Sequence, residues 1–397
     1  MEISIQKESK KTSIMFRFYY FFIFFGLGVL MPLLGVYLKD SLHLSGTQIG
    51  TITSIGPIVM IFIQPLWGIL CDYTQKPREV LFFTLLATGI IGFLYATTAT
   101  YAILVIISFA LAFSQSAIIP ISDSIALNYV QKGQDNYGGI RLYGSLGFAI
   151  AVFVAGRASQ SFGTVIIFYL FAVFMFAGAI LTSTLPKQGT NLEVNLLQGC
   201  KVLFKKREFL LFLCSSFFIF GPINANNTYF GLLIMELGGT LTAVGIMFLL
   251  SAGSEAPFMR ISSYWMSKLG VGQILILSSA VSAIRWLFYF FEPPLLLIYI
   301  TTIAQGISIG FFVPAALQYV RSLSSDSMQS TAVTLYASAG SGLGTWFSTI
   351  IGGILMDYFG IQAIYFCYFV LTCIGIFLLI LIFRNKVPSR MKQNELV

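Results

Sequence analysis

Apolar residues along this chain come in long runs divided by short polar turns. A helix needs about 20 apolar residues to cross a bilayer, and twelve runs reach that length. They cover roughly 14–38, 47–71, 80–98, 102–130, 139–161, 164–185, 209–235, 241–267, 271–291, 294–320, 328–356 and 361–383. Turn residues mark most boundaries: Lys39-Asp40, the segment from Asp72 to Glu79, Gly133, Gly163, Gly238-Gly239, Gly270, Pro293-Pro294 and Gly360. The first run is too long for a signal peptide and lacks a small-residue cleavage site, so it is expected to remain as a span.

Composition strengthens this reading. The chain is 57% hydrophobic and 10% charged, with 39 Phe among 397 residues, where soluble domains carry about 25% charged residues. A water-soluble core cannot hide that much apolar surface, so the expected class is an all-α integral membrane protein embedded in a lipid bilayer. The five cysteines (Cys71, Cys200, Cys214, Cys367, Cys373) have no metal or redox spacing, and the one histidine is His43 in a polar stretch. No metal and no cofactor is expected.

The basic residues give the sidedness. Lys7, Lys10, Lys11 and Arg17 lie at the N-terminal end of the chain, up to the first turn of the first span, and the even-numbered connections add Lys76, Arg78, Lys132, Lys187, Lys201, Lys205, Lys206, Arg207, Lys268 and Arg321. Arg384, Lys386, Arg390 and Lys392 follow the last span, whereas the opposite side has only Lys39 and Arg157. The positive-inside rule puts both termini in the cytoplasm of a multi-pass plasma-membrane protein. The basic balance therefore reports topology, and its spread over many loops excludes a nucleic-acid surface.

The chain also repeats. "ALNYVQ" at 126–131 returns as "ALQYVR" at 316–321, and "LYGSLG" at 142–147 returns as "LYASAG" at 335–340. Gly156, "FG" at 162–163 and Gly178 return as Gly353, "FG" at 359–360 and Gly375, with offsets between 190 and 197. An offset of six spans predicts parallel repeats, two pseudo-symmetric six-helix bundles with a substrate site between them near the midplane. The expected units are an N-terminal bundle at 1–185, a cytoplasmic linker at 186–208, a C-terminal bundle at 209–383 and a cytoplasmic tail at 384–397.

Against this apolar background, five ionisable residues stand inside spans: Asp123, Arg141, Glu255, Arg260 and Arg285. Each costs roughly 2.5–3.5 kcal/mol at a helix centre unless it faces a cavity or a partner. A structural ion pair is the plain alternative, and Arg260 can simply snorkel to the membrane edge. The other four form two sets of opposite sign. Glu255 and Arg285 fall at matching depth, about 20 Å from the cytoplasmic ends of their spans, and can meet or share a ligand. Asp123 and Arg141 lie within reach of a long arginine side chain. Gln115 and Asp123 are expected on one helix face, as are Arg141, Ser145 and Phe148, and as are Gln305 and Phe312. Carboxylate and amide groups bind hydroxyls, guanidinium binds oxygens, and an aromatic face stacks a ring. That set suits a small polar or amphipathic solute.

The segment "GILCDYTQKPRE" at 68–79 carries Gly68, Asp72, Lys76 and Arg78. It resembles the loop between spans two and three of the major facilitator superfamily, with Gln75 where that motif usually has glycine. The resemblance implies that these four residues latch a cytoplasmic gate, Gly68 letting two helices approach. A narrower resemblance, to the lactose-permease-like branch and phenylpropionate permeases, rests on "PISDSIALNYVQKGQDNYGGIRLYGSLGF" at 120–148, "VYLKDSLHLSGTQIG" at 36–50, "AVGIMFLLSAGSEAP" at 243–257 and "SAIRW" at 282–286. It implies that Asp123 and Arg141 grip substrate, that Phe148 stacks on it, and that Arg285 belongs to a coupling region. It also implies a monomer. The histidine and glutamate that the lactose branch uses for proton coupling are replaced by Ile309 and Phe312, so Glu255 becomes the candidate proton carrier. A carboxyl beside Arg285 is poised between its two protonation states, and arriving substrate can tip the balance.

The expectation is a proton-coupled importer of a small organic solute such as a sugar or aromatic acid. Substrate-binding candidates are Asp123, Arg141, Phe148, Gln115 and Gln305, and proton-coupling candidates are Glu255 and Arg285. The rival within transporters is proton-coupled efflux, disfavoured because "GSLGFAIAVFVAG" at 144–156 lacks the proline of the drug-antiporter motif. A non-transporting sensor would carry a soluble output domain, and no connection is long enough for one. No nucleophile–base set or phosphate loop suggests an enzyme.

Overall fold

A computed structural model describes residues 2–130, 136–186, 202–325 and 328–384. Within them the backbone is helical, with no strand. This follows from the bilayer, where every backbone N–H and C=O must be satisfied inside its own segment. Twelve helices result: α1 (Glu2–Val36), α2 (Gly46–Thr74), α3 (Pro77–Leu94), α4 (Tyr101–Val130), α5 (Tyr137–Phe162) and α6 (Ile166–Thr182). The second six are α7 (Arg207–Glu236), α8 (Leu241–Leu269), α9 (Val271–Phe290), α10 (Leu295–Ser322), α11 (Thr331–Phe359) and α12 (Ile361–Phe383). Eleven are long enough to span; α6, at 17 residues, is shorter. Most of the linker expected at 186–208, and the tail beyond 384, lie outside the described residues.

Several helices are interrupted, and some interruptions have clear causes. Pro120 offers no N–H to the carbonyl of Ser116, and α4 breaks there into Tyr101–Gln115 and Ile118–Val130. α1 ends in a π-helical turn at Tyr37–Ser41, and α11 opens its glycine-rich "SAGSGLG" run into another at Ser338–Gly344. Between α2 and α3, Gln75 sits at φ 54° and its backbone N–H caps α2 through the carbonyl of Cys71. The left-handed region is where glycine costs least, and the resembled motif has glycine at this position.

Packing repeats as the sequence does. In the first six helices α1 lies on α5 and α6, α3 on α4 and α6, and α2 on α4. In the second six α7 lies on α11 and α12, α9 on α10 and α12, and α8 on α10. The correspondence reaches single contacts. A side chain at Gly344 would strike the Phe217 carbonyl on α7 at 2.7 Å, and one at Gly147 would strike the Phe21 carbonyl on α1. The positions differ by 197 and 196 residues.

The two sets of six meet along α2 with α11, α5 with α8, and α1 with α7. Their closest approaches lie at the end of the molecule away from the chain termini. A Cβ on Gly46 would be 2.5 Å from the Gly353 carbonyl, and one on Gly156 would be 2.5 Å from the Leu241 carbonyl. Nearer the termini the helices leave more room: added Cβ atoms at Gly56, Gly68, Gly139 and Gly253 meet nothing within 4 Å. Gly68, expected to let two helices approach, has open space around it here. The residue is not a close-packing point in this conformation.

Candidate functional site

Asp123 is carried on the second piece of α4, past the Pro120 break. Its Oδ1 accepts a hydrogen bond from the Tyr20 hydroxyl of α1 at 2.6 Å. Arg141, near the start of α5, brings Nη1 within 3.9 Å of the same oxygen. The pair is an ion pair but not a hydrogen bond at that distance. Arg141 Nη1 is buried and has no hydrogen-bond partner. The guanidinium carbon instead sits 4.2 Å from the centre of the Phe24 ring and 5.8 Å from that of Tyr20. Those two rings lie nearly parallel, 6.2 Å apart. Tyr137, the first residue of α5, also interacts with Asp123 and Tyr20. Beside Asp123 on α4, Ser122 hydrogen-bonds Tyr19 at 2.7 Å and holds α1 against α4.

The expected pairing of Asp123 with Arg141 is therefore present. The expected helix face from Gln115 to Asp123 is interrupted, because the α4 break falls between them. Gln115 is half-buried and is the last residue of the first piece of α4. Phe148 is half-buried on α5, where its carbonyl packs on Gly28. The ring over Arg141 is Phe24, from a different helix. Tyr20, Phe24 and Tyr137 do not stand out in the sequence, since aromatic side chains are common throughout the chain.

A second cluster lies in the other half. Arg285 on α9 is 3% exposed and donates from Nη2 to Gln305 Oε1 on α10 at 2.9 Å. Its guanidinium carbon lies 4.9 Å from the Trp286 ring centre and 5.4 Å from that of Tyr289. Gln305, expected among the substrate groups, is thus the partner of Arg285 in this conformation. Glu255 on α8 is half-buried and senses the Arg285 charge through space. Among the described residues Glu255 and Arg285 make no direct ion pair; Arg285 Nη2 bonds Gln305 instead, and its buried Nε has no hydrogen-bond partner. Asn226 on α7 is fully buried with both amide atoms unpartnered. It precedes by one turn Phe230, whose ring stacks on Tyr289 at 5.7 Å. No signal marks Asn226 in the sequence beyond one polar residue in an apolar run.

The loop motif is ordered differently from its expectation. Arg78 Nη1 donates to the carbonyls of Ser183 and Leu185 at 3.1 and 3.2 Å, tying α3 to the end of α6. Lys76 pairs with Glu79 at 3.5 Å on the surface. Asp72 has an interaction of its own. Arg260 is exposed, as expected of a snorkelling side chain. Among the described residues no group of His, Cys, Asp and Glu is arranged to hold a metal ion.

The geometry offers hydroxyl acceptors, a guanidinium with an unused donor and an aromatic surface in one half, and a carboxyl–guanidinium–amide set in the other. Comparison with known proteins points the same way. The model of the MFS_1 like family matches residues 13–367. A maltose permease of Geobacillus stearothermophilus is 44% identical over 379 residues, covering 95% of this chain and 96% of the relative. The uncharacterized transporter YwbF of Bacillus subtilis (strain 168) is 44% identical over 358 residues, 90% of each chain. Among solved structures, the nucleoside transporter NupG shares the fold, with a TM-score of 0.85 at 19% identity over 94% of this chain and 99% of that one.

Proposed function

From the premise that the chain belongs to the MFS_1 like family of the major facilitator superfamily, and is a membrane transporter of a small solute rather than an enzyme, we propose that it imports a maltose-class sugar together with protons. The observation that carries this reading is the Asp123–Arg141 cluster. A buried guanidinium nitrogen without a hydrogen-bond partner loses about 1–3 kcal/mol of hydrogen bonding, more for a charged group. A sugar hydroxyl supplies the missing acceptor, and the same hydroxyl donates to Asp123. Phe24 and Tyr20 present ring faces to the apolar side of a sugar ring. The resemblance to maltose permease supports the sugar class.

In this reading the termini are cytoplasmic, as the basic loops imply, so the closely packed end is extracellular and the molecule faces inward. The two bundles rock against one another in the cycle. Glu255 carries the proton. Arg285, held by Gln305, sets the charge that Glu255 senses. Sugar on the Asp123 side and a proton on the Glu255 side are both needed before the bundles exchange states. All of these groups come from one chain, so a monomer suffices.

The roles separate in one experiment. Purified wild type, Asp123→Asn, Arg141→Gln and Glu255→Gln are reconstituted, and maltose binding, counterflow and proton-driven accumulation are measured. The first two substitutions should abolish binding. Glu255→Gln should keep binding and counterflow but lose accumulation. Wild-type accumulation by Asp123→Asn, or intact proton coupling in Glu255→Gln, contradicts the assignment.

A further inference from the structure

The end of the molecule away from the termini is closed by more than glycine contacts. Asp357, in the last turn of α11, accepts hydrogen bonds from Gly46 N at 2.5 Å, Thr47 N at 2.8 Å and Thr47 Oγ1 at 2.6 Å. These donors are the first residues of α2, in the opposite half. Inside its own half, α2 satisfies only part of its N-terminus. The Ser45 hydroxyl accepts from Gln48 N at 3.2 Å, and Gln48 Oε1 accepts from Ser45 N at 3.0 Å, forming a capping box. That leaves Gly46 N–H and Thr47 N–H as orphan donors, and Asp357 takes both. Its negative charge also faces the positive end of the α2 dipole.

The same device recurs on the other pair of helices. Gln160, near the end of α5, accepts from Leu241 N, the first residue of α8, at 3.1 Å. Gln160 and Asp357 are 197 residues apart, the offset that also separates Gly156 from Gly353. Each stands four residues after its glycine, one turn further along the same helix face. The glycines let α11 meet α2 and α5 meet α8 backbone to backbone, and the polar residue one turn on then caps the partner helix.

We infer that Asp357 and Gln160 are a pair of pseudo-symmetric cross-half caps, positioning residues that set how often this end of the transporter is closed. The bonds exist only while the halves touch there. When the end opens, water must replace the side-chain acceptors on α2 and α8. The Asp357 cap is the stronger of the two, with three donors and a charge against one donor and none. Both residues are remote from the Asp123 and Glu255 clusters, so the inference stands whether or not the sugar or the proton assignment is correct.

The test is a distance distribution between spin labels at Ala99→Cys and Leu296→Cys, two exposed positions, one on each half at this end, in a background with the native cysteines replaced. It is measured by pulsed electron resonance in lipid nanodiscs without substrate. Wild type should be mostly at the short distance. Loss of an N-cap shifts such an equilibrium roughly fivefold. Asp357→Ala should therefore raise the open-to-closed ratio about fivefold, Gln160→Ala by less, and the double variant by roughly the product. Asp357→Asn, which keeps an acceptor oxygen but loses the charge, should fall between. Should Asp357→Ala fail to fold, Thr47→Val removes one donor alone and should give a smaller shift in the same direction. A wild type that is mostly open, or a Gln160→Ala/Asp357→Asn variant that superimposes on wild type, overturns the inference.

Discussion

At the proposed substrate site, each role rests on a single residue. Tyr20 donates to Asp123 at 2.6 Å, and a hydrogen bond to a charged group contributes about 1.5–3 kcal/mol. Tyr20→Phe should weaken sugar binding about tenfold or more, read by equilibrium binding to purified protein. Phe24→Ala removes the ring beneath Arg141 and should weaken binding further than Phe148→Ala does. Equal losses in the two variants would return the stacking role to Phe148. The charged members of this site were legible in the sequence, because a carboxylate or guanidinium in an apolar run stands out against its cost. Tyr20 and Phe24 were not, because 16% of the chain is aromatic and nothing local separates a ring facing the site from a ring facing lipid. Asp357 escaped notice for the opposite reason: at the end of a span a charge is unremarkable. Gln75 offers a test at this scale that is independent of transport. Its left-handed backbone costs roughly 1–2 kcal/mol for a residue with a Cβ, partly offset in glycine by chain entropy. Gln75→Gly should raise the thermal unfolding midpoint by ~1–2 °C, measured by tryptophan fluorescence on heating. A fall would mean that the Gln75 bond to the Asp72 carbonyl outweighs the strain.

At the scale of helices, eleven of the twelve runs were readable to within a few residues, while α1 starts at Glu2, twelve residues before its run. Apolar length alone specifies a spanning helix, and Gly163, Gly270 and Gly360 stand at observed helix ends. What the apolar pattern could not supply was the course of each helix. A shared face for Gln115 and Asp123, eight residues apart, requires an unbroken α4, and Pro120 breaks it. The pairing of Glu255 with Arg285 followed from depth, but depth does not reveal that Gln305 lies nearer to the guanidinium. The sequence repeat, by contrast, carried over into packing, down to the glycines at which α1 meets α5 and α7 meets α11. Helix contacts make their own prediction. A Val at Gly353 would place its Cβ inside the contact shell of the Gly46 carbonyl. Gly353→Val should slow net transport at least tenfold while leaving sugar binding within about twofold, because the halves can no longer meet at that end. Normal transport by this variant would show that the contact is not part of the cycle.

For the whole molecule, the two clusters sit in opposite halves, and in the proposed cycle that separation divides the work. One half holds sugar, the other holds a proton, and the halves move together only when both are loaded. The narrower resemblance to phenylpropionate permeases left an aromatic acid as open as a sugar, and the 44% identity to a maltose permease tips the proposal to sugar. The most direct measurement is external pH. De-energised cells expressing the protein are suspended in weak buffer, and maltose is added. Proton symport predicts prompt alkalinisation of the medium that an uncoupler abolishes and that Glu255→Gln cells do not show. Maltose entry without any pH change, or the same pH change in Glu255→Gln cells, would contradict it.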